Sequence, residues 1–351
     1  MSVIEAVGTA VPRHCVAQDT ARDFCRAMFA EAFPDVDRLL SVFENTRIQQ
    51  RYFSAPREWF ETEHSFSEKN ELYLESSIEV GQAAILNCLR SAELEPREID
   101  HFIFVSTTGL ATPSIDARLI NLLKMRTDIR RTPIWGLGCA GGAAGLSRAF
   151  EYTLAFPRSR VLVLALELCA LTFQRNDLSK SNLVAVALFS DGAAAALVTG
   201  RELSRKGLRI IGGRSTLWYD SLDVMGWVIN DRGLKVLFSR DIPSIVRKCL
   251  LPNLNAFLEE QGVPLSAIRH IVAHPGGAKV IEAYEETLAL ANGQMDHARE
   301  VLRRYGNMSS PTVLFVLHEF LRNREVLPAE YGLVTALGPG FSSEMLLVQG
   351  Q

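Results

Sequence analysis

The sequence predicts an α/β fold with buried strands, and three features of the chain carry this prediction. Short apolar runs such as residues 161–166 are typical of strands that are covered on both faces. Longer segments with apolar residues at i, i+3 and i+4, such as residues 73–92, are typical of helices and alternate with these runs. Both halves of the chain show this alternation, which suggests an internal duplication that has left no sequence repeat.

In the first half, strand and helix signals begin at the first residues. Its predicted helices cover residues 17–33, 36–45, 73–92, 116–125 and 140–156. Its predicted strands cover residues 3–9, 99–105, a short segment at 134, and 160–167. Residues 185–199 are predicted to form a pair of strands that is interrupted at Ser190, Asp191 and Gly192.

The second half repeats this rhythm. Its predicted strands cover residues 208–213, 268–273, 332–337 and 344–348, and its predicted helices cover residues 241–261, 279–290, 295–304 and 311–327. No linker or low-complexity segment separates the halves. We place their boundary near residues 199–206, which gives an N-terminal half of residues 1–202 and a C-terminal half of residues 203–351.

Composition excludes several classes of function. With 351 residues, of which 48% are hydrophobic and 22% charged, the chain can bury a large core and hold two domains. Its net charge of −3 is spread along the chain and lacks the basic patch that nucleic-acid binding needs. The N-terminus lacks the pattern of a signal peptide, and no apolar run is long enough for a membrane span, so we expect a cytoplasmic protein.

The cysteines and glycines exclude further classes. The six cysteines, at positions 15, 25, 88, 139, 169 and 249, form no Cys-x-x-Cys pair and no cluster with histidine at zinc spacing. We therefore expect reduced thiols, with neither a disulfide framework nor a metal site. Gly136, Gly138 and Gly141 weakly resemble a dinucleotide-binding fingerprint, but the cysteine in this turn suits acyl transfer better.

Cys139 stands among five glycines in the stretch WGLGCAGGAAG, residues 135–145. This pattern predicts a nucleophile at a strand-to-helix turn, because glycine permits a sharp turn and a close backbone approach. The N-terminus of the helix that follows would favour thiolate over thiol. For the cysteine taken alone, a buried structural thiol on a glycine-packed helix is the better explanation.

His274 and Asn307 make a catalytic role the better explanation of Cys139. His274 ends a β-rich run and is followed by Pro-Gly-Gly, which places it at the C-terminal end of a strand. Asn307 lies in a loop whose serines can cap the next helix. Each has a plain structural explanation, as a core histidine or as a turn residue. Together with Cys139 they provide the thiolate, imidazole and amide donor that chain extension through a thioester requires.

Seven motifs in this order resemble the type III polyketide synthases, the chalcone-synthase-like family of thiolase-fold condensing enzymes. They span nearly the whole chain and are residues 7–12 (VGTAVP), 106–109 (STTG), 138–142 (GCAGG), 188–193 (LFSDGA), 274–277 (HPGG), 306–310 (GNMSS) and 338–341 (GPGF). The resemblance is closest to the bacterial branch that makes aliphatic pyrones from fatty acyl starters, through residues 136–138 (GLG), 167–174 (ELCALTFQ) and 338–344 (GPGFSSE).

This resemblance implies a thiolase-like fold, with five layers in the order αβαβα, two pseudo-symmetric halves and a homodimer. It implies acyl-CoA and malonyl-CoA as substrates and no cofactor. It also implies a catalytic set in which Cys139 is the nucleophile and His274 is the imidazolium partner of its thiolate. His274 and Asn307 would donate hydrogen bonds to the enolate that forms when malonyl-CoA loses carbon dioxide.

The resemblance assigns pocket residues as well. Phe189 matches a gatekeeper that orients malonyl-CoA, although an apolar position in a strand by itself favours core packing. Thr107, Thr108 and Thr112 match a loop that lines the starter cavity and approaches the partner subunit. The peptide between Thr112 and Pro113 matches a position that is cis in the family, whereas sequence alone predicts trans.

Departures from the plant enzymes point to the starter. Val236 lies at or near the position of a second gatekeeper phenylalanine, Leu337 replaces another phenylalanine, and Thr112 replaces a methionine. These smaller or more flexible residues favour a long aliphatic starter over a flat aromatic one. The adjoining loop of Gly338, Pro339 and Gly340 would shape the cyclisation cavity, with a simple turn between strands as an equally good explanation.

Candidate CoA-binding residues are Arg38, Gly276, Gly277 and Lys279. Arg38 is the clear match to the basic positions that the family carries near residues 38–51. For each cation, a solvated surface charge is an equally good explanation.

The sequence therefore predicts a homodimeric type III polyketide synthase that extends a long-chain fatty acyl-CoA two or three times with malonyl-CoA and releases alkylpyrones by lactonisation. Alkylresorcinol formation and an aromatic- or malonyl-primed product are the alternatives within the family. A ketoacyl carrier-protein synthase III shares the fold and the Cys-His-Asn set, but its histidine and asparagine motifs differ. An inactive scaffold is disfavoured because all three catalytic residue types are present.

Overall fold

The computed structural model describes residues 2–30, 33–203, 206–239, 241–323 and 328–351. The helices in these residues are α1 (Gln18–Phe29), α2 (Val36–Asn45), α3 (Phe66–Ser91), α4 (Ile115–Leu122), α5 (Gly141–Ala155), α6 (Lys180–Leu188), α7 (Ile242–Gln261), α8 (Ala278–Leu288), α9 (Asp296–Tyr305) and α10 (Thr312–Asn323). The strands are β1 (Val3–Ala10), β2 (His14–Ala17), β3 (Gln50–Phe53), β4 (His101–Val105), β5 (Arg130–Ile134), β6 (Arg160–Leu168), β7 (Asp191–Thr199), β8 (Leu208–Leu217), β9 (Met225–Asn230), β10 (Gly233–Phe238), β11 (Ile268–Ala273), β12 (Tyr331–Gly338) and β13 (Ser342–Gly350).

The main sheet consists of two half-sheets that repeat one strand order. The first runs β5-β4-β6-β7-β1 and the second runs β8-β13-β12-β11. They join where β1 pairs with β8, through Val3 with Arg209 and Ile4 with Leu208. In the first half-sheet, β7 pairs antiparallel with β1 and β6, and β6 pairs parallel with β4. In the second, β13 pairs antiparallel with β8 and β12, and β12 pairs parallel with β11. The halves are therefore pseudo-symmetric.

The helices and half-sheets form five layers. Helix α3 packs on β1, β6 and β7, outside the first half-sheet, and α7 packs on β8 and on α8, outside the second. Helices α5 and α10 each contact strands of both half-sheets and so lie between them. The order is αβαβα, which confirms the predicted fold class. Every residue of β4 and β7 is buried, as expected for strands that helices cover on both faces.

Two predicted elements coincide with the structure residue for residue, the helix at residues 36–45 and the strand at residues 268–273. One prediction is wrong, because residues 185–188 belong to helix α6 and only the second member of the predicted strand pair, β7, is a strand. Ser179 caps α6 by accepting a hydrogen bond from the backbone of Asn182 at 3.3 Å. A short run of alanine, valine and leucine does not by itself distinguish a helix from a strand.

Helix α3 begins at Phe66, earlier than the predicted start at residue 73. The reason is a capping box, in which the Ser65 hydroxyl accepts from the backbone N–H of Glu68 at 3.2 Å and the Glu68 carboxylate accepts from the backbone N–H of Ser65 at 2.8 Å. The hairpin of β9 and β10 and the pair of β2 and β3 were not predicted.

Parts of three predictions lie outside the described residues. They are residues 31 and 32 of the predicted helix 17–33, residues 324–327 of the predicted helix 311–327, and residues 204 and 205 of the predicted boundary. The peptide between Thr112 and Pro113 is cis, which confirms the expectation from the family resemblance. Within the described residues, no helix is both long enough and apolar enough to cross a bilayer.

Candidate active site

Cys139 lies in a single 3-10 turn, Gly138–Ala140, between β5 and α5. Gly138 has a φ of +45°, and a Cβ atom there would lie 2.7 Å from the ring of Pro339. The turn therefore requires glycine, and Pro339 packs directly against it. A Cβ on the neighbouring Gly338 would in turn lie 2.6 Å from the Cβ of Ala140. The strand-to-helix turn expected from the glycines is present, and the loop that carries Gly338 and Pro339 covers it.

Asn307 lies in the corresponding loop of the second half, before α10. Its side-chain oxygen accepts a hydrogen bond from the backbone N–H of Ser309 at 2.7 Å, and its Nδ2 donates to the carbonyl of Gly276 at 3.1 Å. Ser309 has a φ of +60°, an uncommon conformation for a residue with a side chain. This backbone points the Ser309 hydroxyl at the first loop, where the thiol of Cys139 donates to it at 3.3 Å.

The two loops meet closely at the start of α5. A Cβ atom on Gly142 would lie 2.2 Å from the carbonyl oxygen of Ser310, so only glycine allows this approach. The central helices thereby bring Cys139 of one half and Asn307 of the other into one site.

His274 directly follows β11, at the strand end where the sequence places it. Its backbone N–H donates to the carbonyl of Thr335 at 2.9 Å, and its side chain is buried. Neither ring nitrogen has a hydrogen-bond partner within the described part of the chain. Burial lowers the pKa of His274 to about 4, so the ring is neutral at pH 7. A buried neutral imidazole with unused nitrogens can accept a proton from a nucleophile or donate to an oxyanion.

Burial disfavours the charged form of Cys139 as well. Cys139 keeps partial exposure, yet the protein encloses its sulfur enough that burial raises the pKa of the thiol to about 11. The hydrogen bond with Ser309 acts to lower this pKa, and the charge of Glu167 acts to raise it further. The loss of solvation around both groups opposes the expected pair of a thiolate and an imidazolium, whereas the N-terminus of α5 favours it. The pair stays a prediction.

Glu167, at the end of β6, connects the loops around Cys139. Its Oε2 accepts from the backbone N–H of Thr107 and from the hydroxyl of Thr108, each at 2.8 Å, and its Oε1 accepts from the hydroxyl of Ser310 at 2.8 Å. The Thr107 hydroxyl accepts from the backbone N–H of Gly138 at 3.2 Å, next to Cys139. Burial raises the pKa of Glu167 to about 7, against the opposing effect of these hydrogen bonds.

A largely apolar cavity of about 760 Å³, including its open mouth, adjoins the gatekeeper positions. Its apolar lining residues are Val16, Ala21, Phe24, Phe53, Phe60, Cys169, Ala170, Phe173, Ala185, Val186, Phe189 and Val236. Its polar lining residues are Thr20, Arg51, Arg57, Thr172, Gln174, Asp177, Asn182 and Lys235.

The structure brings most of the predicted site residues together. Phe189 lines the cavity and pairs with Asn307 through an isolated β-bridge, so it connects the cavity to the asparagine loop, and it packs with Val236 in one buried cluster. Thr107 and Thr108 adjoin Cys139 through the Glu167 network.

Other predicted residues lie apart from this network. Thr112, Arg38 and Lys279 are exposed, and none of the three lines the cavity. Gly340 faces Leu217, from which a Cβ atom would lie 3.1 Å away, and not the turn of Cys139. Gly277 precedes α8.

Three residues of the site were not predicted as functional, namely Glu167, Ser309 and Ser310. Glu167 does leave a signal, because a carboxylate stands at the end of an otherwise apolar strand and is completely buried. Burial of that kind requires partners or protonation. Ser309 and Ser310 leave no such signal in the sequence, because their contacts with Cys139 and Glu167 depend on packing between distant segments.

Comparisons with known proteins agree with this geometry. Residues 1–201 match the family described as chalcone and stilbene synthases, N-terminal domain, and residues 215–351 match the C-terminal domain of the same family. A relative from Bacillus subtilis (strain 168), named "Putative chalcone synthase", is 46% identical over 99% of this chain and 98% of its own length. A 1,3,6,8-tetrahydroxynaphthalene synthase from Streptomyces peucetius subsp. caesius is 36% identical over 99% of this chain and 92% of its own length.

Among solved structures, 1,3,6,8-tetrahydroxynaphthalene synthase from Streptomyces coelicolor A3(2), a bacterial type III polyketide synthase, superposes with a TM-score of 0.95. It is 30% identical, with 99% of each chain covered. A type III pentaketide synthase from Neurospora crassa, 24% identical and covering all of both chains, has a TM-score of 0.90 and supports the fold alone. The paired family matches and these relatives show that the chain belongs to the chalcone and stilbene synthases, the type III polyketide synthases, which are acyltransferases that use acyl-CoA and malonyl-CoA.

Proposed function

We propose that this enzyme loads a long-chain fatty acyl-CoA, extends it two or three times with malonyl-CoA and releases alkylpyrones by lactonisation. The observation that carries this proposal is the apolar cavity beside Phe189 and Val236. We further propose that the enzyme is a cytoplasmic homodimer, that it needs no cofactor besides its CoA thioester substrates, and that its catalytic halves are residues 1–202 and 203–351.

The lining of the cavity suits an aliphatic chain. Five phenylalanines, at positions 24, 53, 60, 173 and 189, surround it together with alanine and valine side chains. Each methylene group that moves from water into such a cavity contributes about 0.8 kcal/mol. A flexible chain can follow an irregular cavity, whereas a flat aromatic starter would leave part of it empty. Val236 stands in place of a larger gatekeeper side chain and lines the cavity beside Phe189.

In the proposed loading step, Cys139 gives its thiol proton to His274, and its sulfur forms a bond with the acyl carbonyl carbon. The bond between that carbon and the sulfur of CoA breaks, and the CoA thiolate takes the proton back from His274. Transfer to a neutral imidazole suits a thiol whose pKa burial has raised, because the charge pair forms only during the reaction.

In the proposed extension step, malonyl-CoA loses carbon dioxide, and the electron pair of the broken C–C bond forms an enolate. His274 and the Nδ2 of Asn307 would donate hydrogen bonds to the enolate oxygen. The enolate carbon then attacks the acyl carbon on Cys139, and the Cys139 sulfur leaves as a thiolate. In the present structure the Asn307 Nδ2 donates to Gly276, which holds the amide beside the turn that follows His274.

The CoA portion would bind outside this centre. Arg38 and Lys279 are exposed cations that suit the CoA phosphates, and Gly276 and Gly277 leave room for the pantetheine arm beside His274. Thr112 and Gly340 would border the starter and cyclisation cavities through the partner subunit and through the loop that carries Pro339.

A malonyl-primed product is the second candidate. It is favoured by the relatives named 1,3,6,8-tetrahydroxynaphthalene synthase, one of them 36% identical. Such a reaction needs no long apolar cavity, so the cavity lined by the five phenylalanines favours the fatty starter.

Mass spectrometry of the products tests the proposal. The purified enzyme is incubated with malonyl-CoA alone, and with saturated acyl-CoA starters of graded length or an aromatic starter. We expect triketide and tetraketide pyrones from long starters, and the Cys139→Ala variant should yield none while remaining folded. Products from malonyl-CoA alone, or a preference for the aromatic starter, would reject the fatty starter. Condensation that occurs on a carrier protein and not with CoA thioesters would reject the CoA-dependent reaction.

A further inference from the structure

A second cavity lies behind the first, and the two share a wall. The second cavity measures about 350 Å³, and its lining has Phe60, Phe173 and Gln174 in common with the first. The remaining lining residues of the second cavity are Trp59, Thr62, Glu63, His64, Lys69, Arg175, Asn176 and Arg232. An apolar space and a space lined by several charged and polar residues are therefore separated by two aromatic side chains and one amide.

The aromatic part of this wall is packed from the side of the first cavity. The Phe173 ring lies 6.0 Å from the ring of Phe24 and 6.3 Å from the ring of Phe60, both in edge-to-face contacts. Phe53 meets Phe60 in the same manner at 5.6 Å. Rings at these distances and angles interlock favourably, so the wall is closed by packing.

Cations from the side of the second cavity hold the backbone of the wall. The Nζ of Lys69 donates to the carbonyl of Phe173 at 2.7 Å, and a guanidinium nitrogen of Arg175 donates to the carbonyl of Phe60 at 3.1 Å. The amide of Gln174 donates to Asn230 on β9 at 3.3 Å. Hydrogen bonds from cations are stronger than those between neutral groups, so the wall is anchored in place.

We propose that Phe60 and Phe173 form a partition that limits the length of the starter chain, with the end of the acyl chain stopping against their rings. This inference rests on the proposed fatty acyl starter and deepens it. A chain longer than the first cavity must either displace the rings or leave its last methylene groups in water. Beyond that length, each added methylene would gain nothing or would lower kcat/KM.

Removal of the partition would change both the length and the end group that the enzyme accepts. Phe173→Ala joins the apolar cavity to the second one, where Lys69, Arg175 and Arg232 outnumber the single carboxylate of Glu63. A longer chain could then pass through, and a carboxylate at its far end would meet cations. Phe24→Ala is the matched control, because it removes a ring that packs on Phe173 and lines the first cavity only, while both rings that the two cavities share, those of Phe60 and Phe173, remain.

The experiment measures kcat/KM for saturated acyl-CoA starters of increasing length, and for starters with a terminal carboxylate, in the wild type, Phe173→Ala and Phe24→Ala. Below the limit, we expect kcat/KM to rise by up to about fourfold per methylene. In Phe173→Ala the limit should move to longer chains, with a gain of about tenfold or more for starters beyond the wild-type limit. The ratio of carboxylate-ended to methyl-ended long starters should rise in this variant and stay unchanged in Phe24→Ala.

The possible results separate this inference from the function on which it rests. A wild type that extends no fatty starter overturns the proposed function and the partition with it. If the wild type has a clear length limit and a folded Phe173→Ala variant has the same limit, the partition alone is overturned. A shift of the limit in Phe24→Ala that equals the shift in Phe173→Ala also overturns the partition alone. If Phe173→Ala does not fold, Phe60→Leu opens the same wall from its other side, and an unchanged limit there rejects the partition.

Discussion

The thiol of Cys139 donates a hydrogen bond to the hydroxyl of Ser309 across 3.3 Å, and this contact joins the two halves of the chain at the candidate nucleophile. The same hydroxyl can turn and donate to the sulfur when the thiol has lost its proton. It is therefore one of the few groups that oppose the effect of burial on Cys139.

Ser309→Ala should make Cys139 less reactive. Loss of one hydrogen bond to the thiolate raises the pKa of Cys139 further, and we expect alkylation by iodoacetamide at pH 8 to slow by about 5- to 10-fold. Ser309→Gly removes the hydroxyl but relieves the φ of +60°, so it should slow alkylation to a similar degree while the fold is at least as stable. Faster alkylation in both variants would show that Ser309 protects the thiol instead.

Alkylation of Cys139 in the wild type should depend steeply on pH. The thiol pKa is about 11 and only the thiolate reacts, so the rate should rise about tenfold per pH unit between pH 7 and 9. The pKa of His274 is about 4, so titration of the imidazole should add no step in this range. The measurement is the rate of mass gain at Cys139, with Cys139→Ala as the blank. A rate that is already constant below pH 7 would contradict the neutral pair and establish a thiolate paired with imidazolium.

Glu167 should make the fold less stable as pH rises. Its pKa is about 7 in the folded chain and 4.5 is its ordinary value, so between these values the folded state holds more protons than the unfolded state. The free energy of unfolding therefore falls as pH rises from about 4.5 to 7, by about 3 kcal/mol from this group. Glu167→Gln should lose this slope, and urea unfolding at pH 5 and pH 8 measures it. Equal slopes in the two proteins would show that the carboxylate is ionised throughout.

Glu167→Gln should also impair the site itself. The glutamine NH2 group must face one of the donors that now bind the carboxylate, from Thr107, Thr108 or Ser310. One donor is then unsatisfied, at a cost of about 1–3 kcal/mol, and the loop beside Cys139 shifts. We expect product formation to fall at least tenfold, as measured by mass spectrometry.

Gly142→Ala should separate the loops that carry Cys139 and Asn307. The new Cβ would lie 2.2 Å from the carbonyl oxygen of Ser310, a backbone atom that cannot turn away. We expect a loss of about 1–3 kcal/mol in the free energy of unfolding, together with the loss of product. Gly277→Ala is the control for stability, because its Cβ would meet only Leu188 at 3.6 Å. Equal stability of the two variants would contradict the close approach.

Local sequence patterns predicted the parts of the site that depend on neighbouring residues. Glycines around Cys139 predicted its turn, and the Pro-Gly-Gly that follows His274 predicted the end of β11, because turns and strand ends depend on backbone preferences. The alternation of helices and strands predicted the α/β class, and the family resemblance supplied the five layers.

Features that depend on distant segments could not be predicted in this way. The run before Phe189 is a helix and not a strand because Ser179 caps it and the surrounding chain packs on it. The protonation of Cys139 and His274 depends on how completely the other half buries them, and a sequence does not show burial of that kind. The contacts of Glu167 join segments that are about 60 and 143 positions away along the chain.

The pseudo-symmetry of the halves has a chemical consequence. The segment before α5 and the segment before α10 occupy the same place in two copies of one topological unit. The first segment carries the thiol of Cys139, whereas the second carries the amide of Asn307. The bond-forming group and the group that would hold the negative charge are thus divided between the copies. Either copy alone would keep its helix and its loop but would face solvent where its counterpart now stands. The proposed catalysis therefore depends on the contact between the two copies. A change that leaves each copy folded but moves the segment before α5 away from the segment before α10 would abolish it.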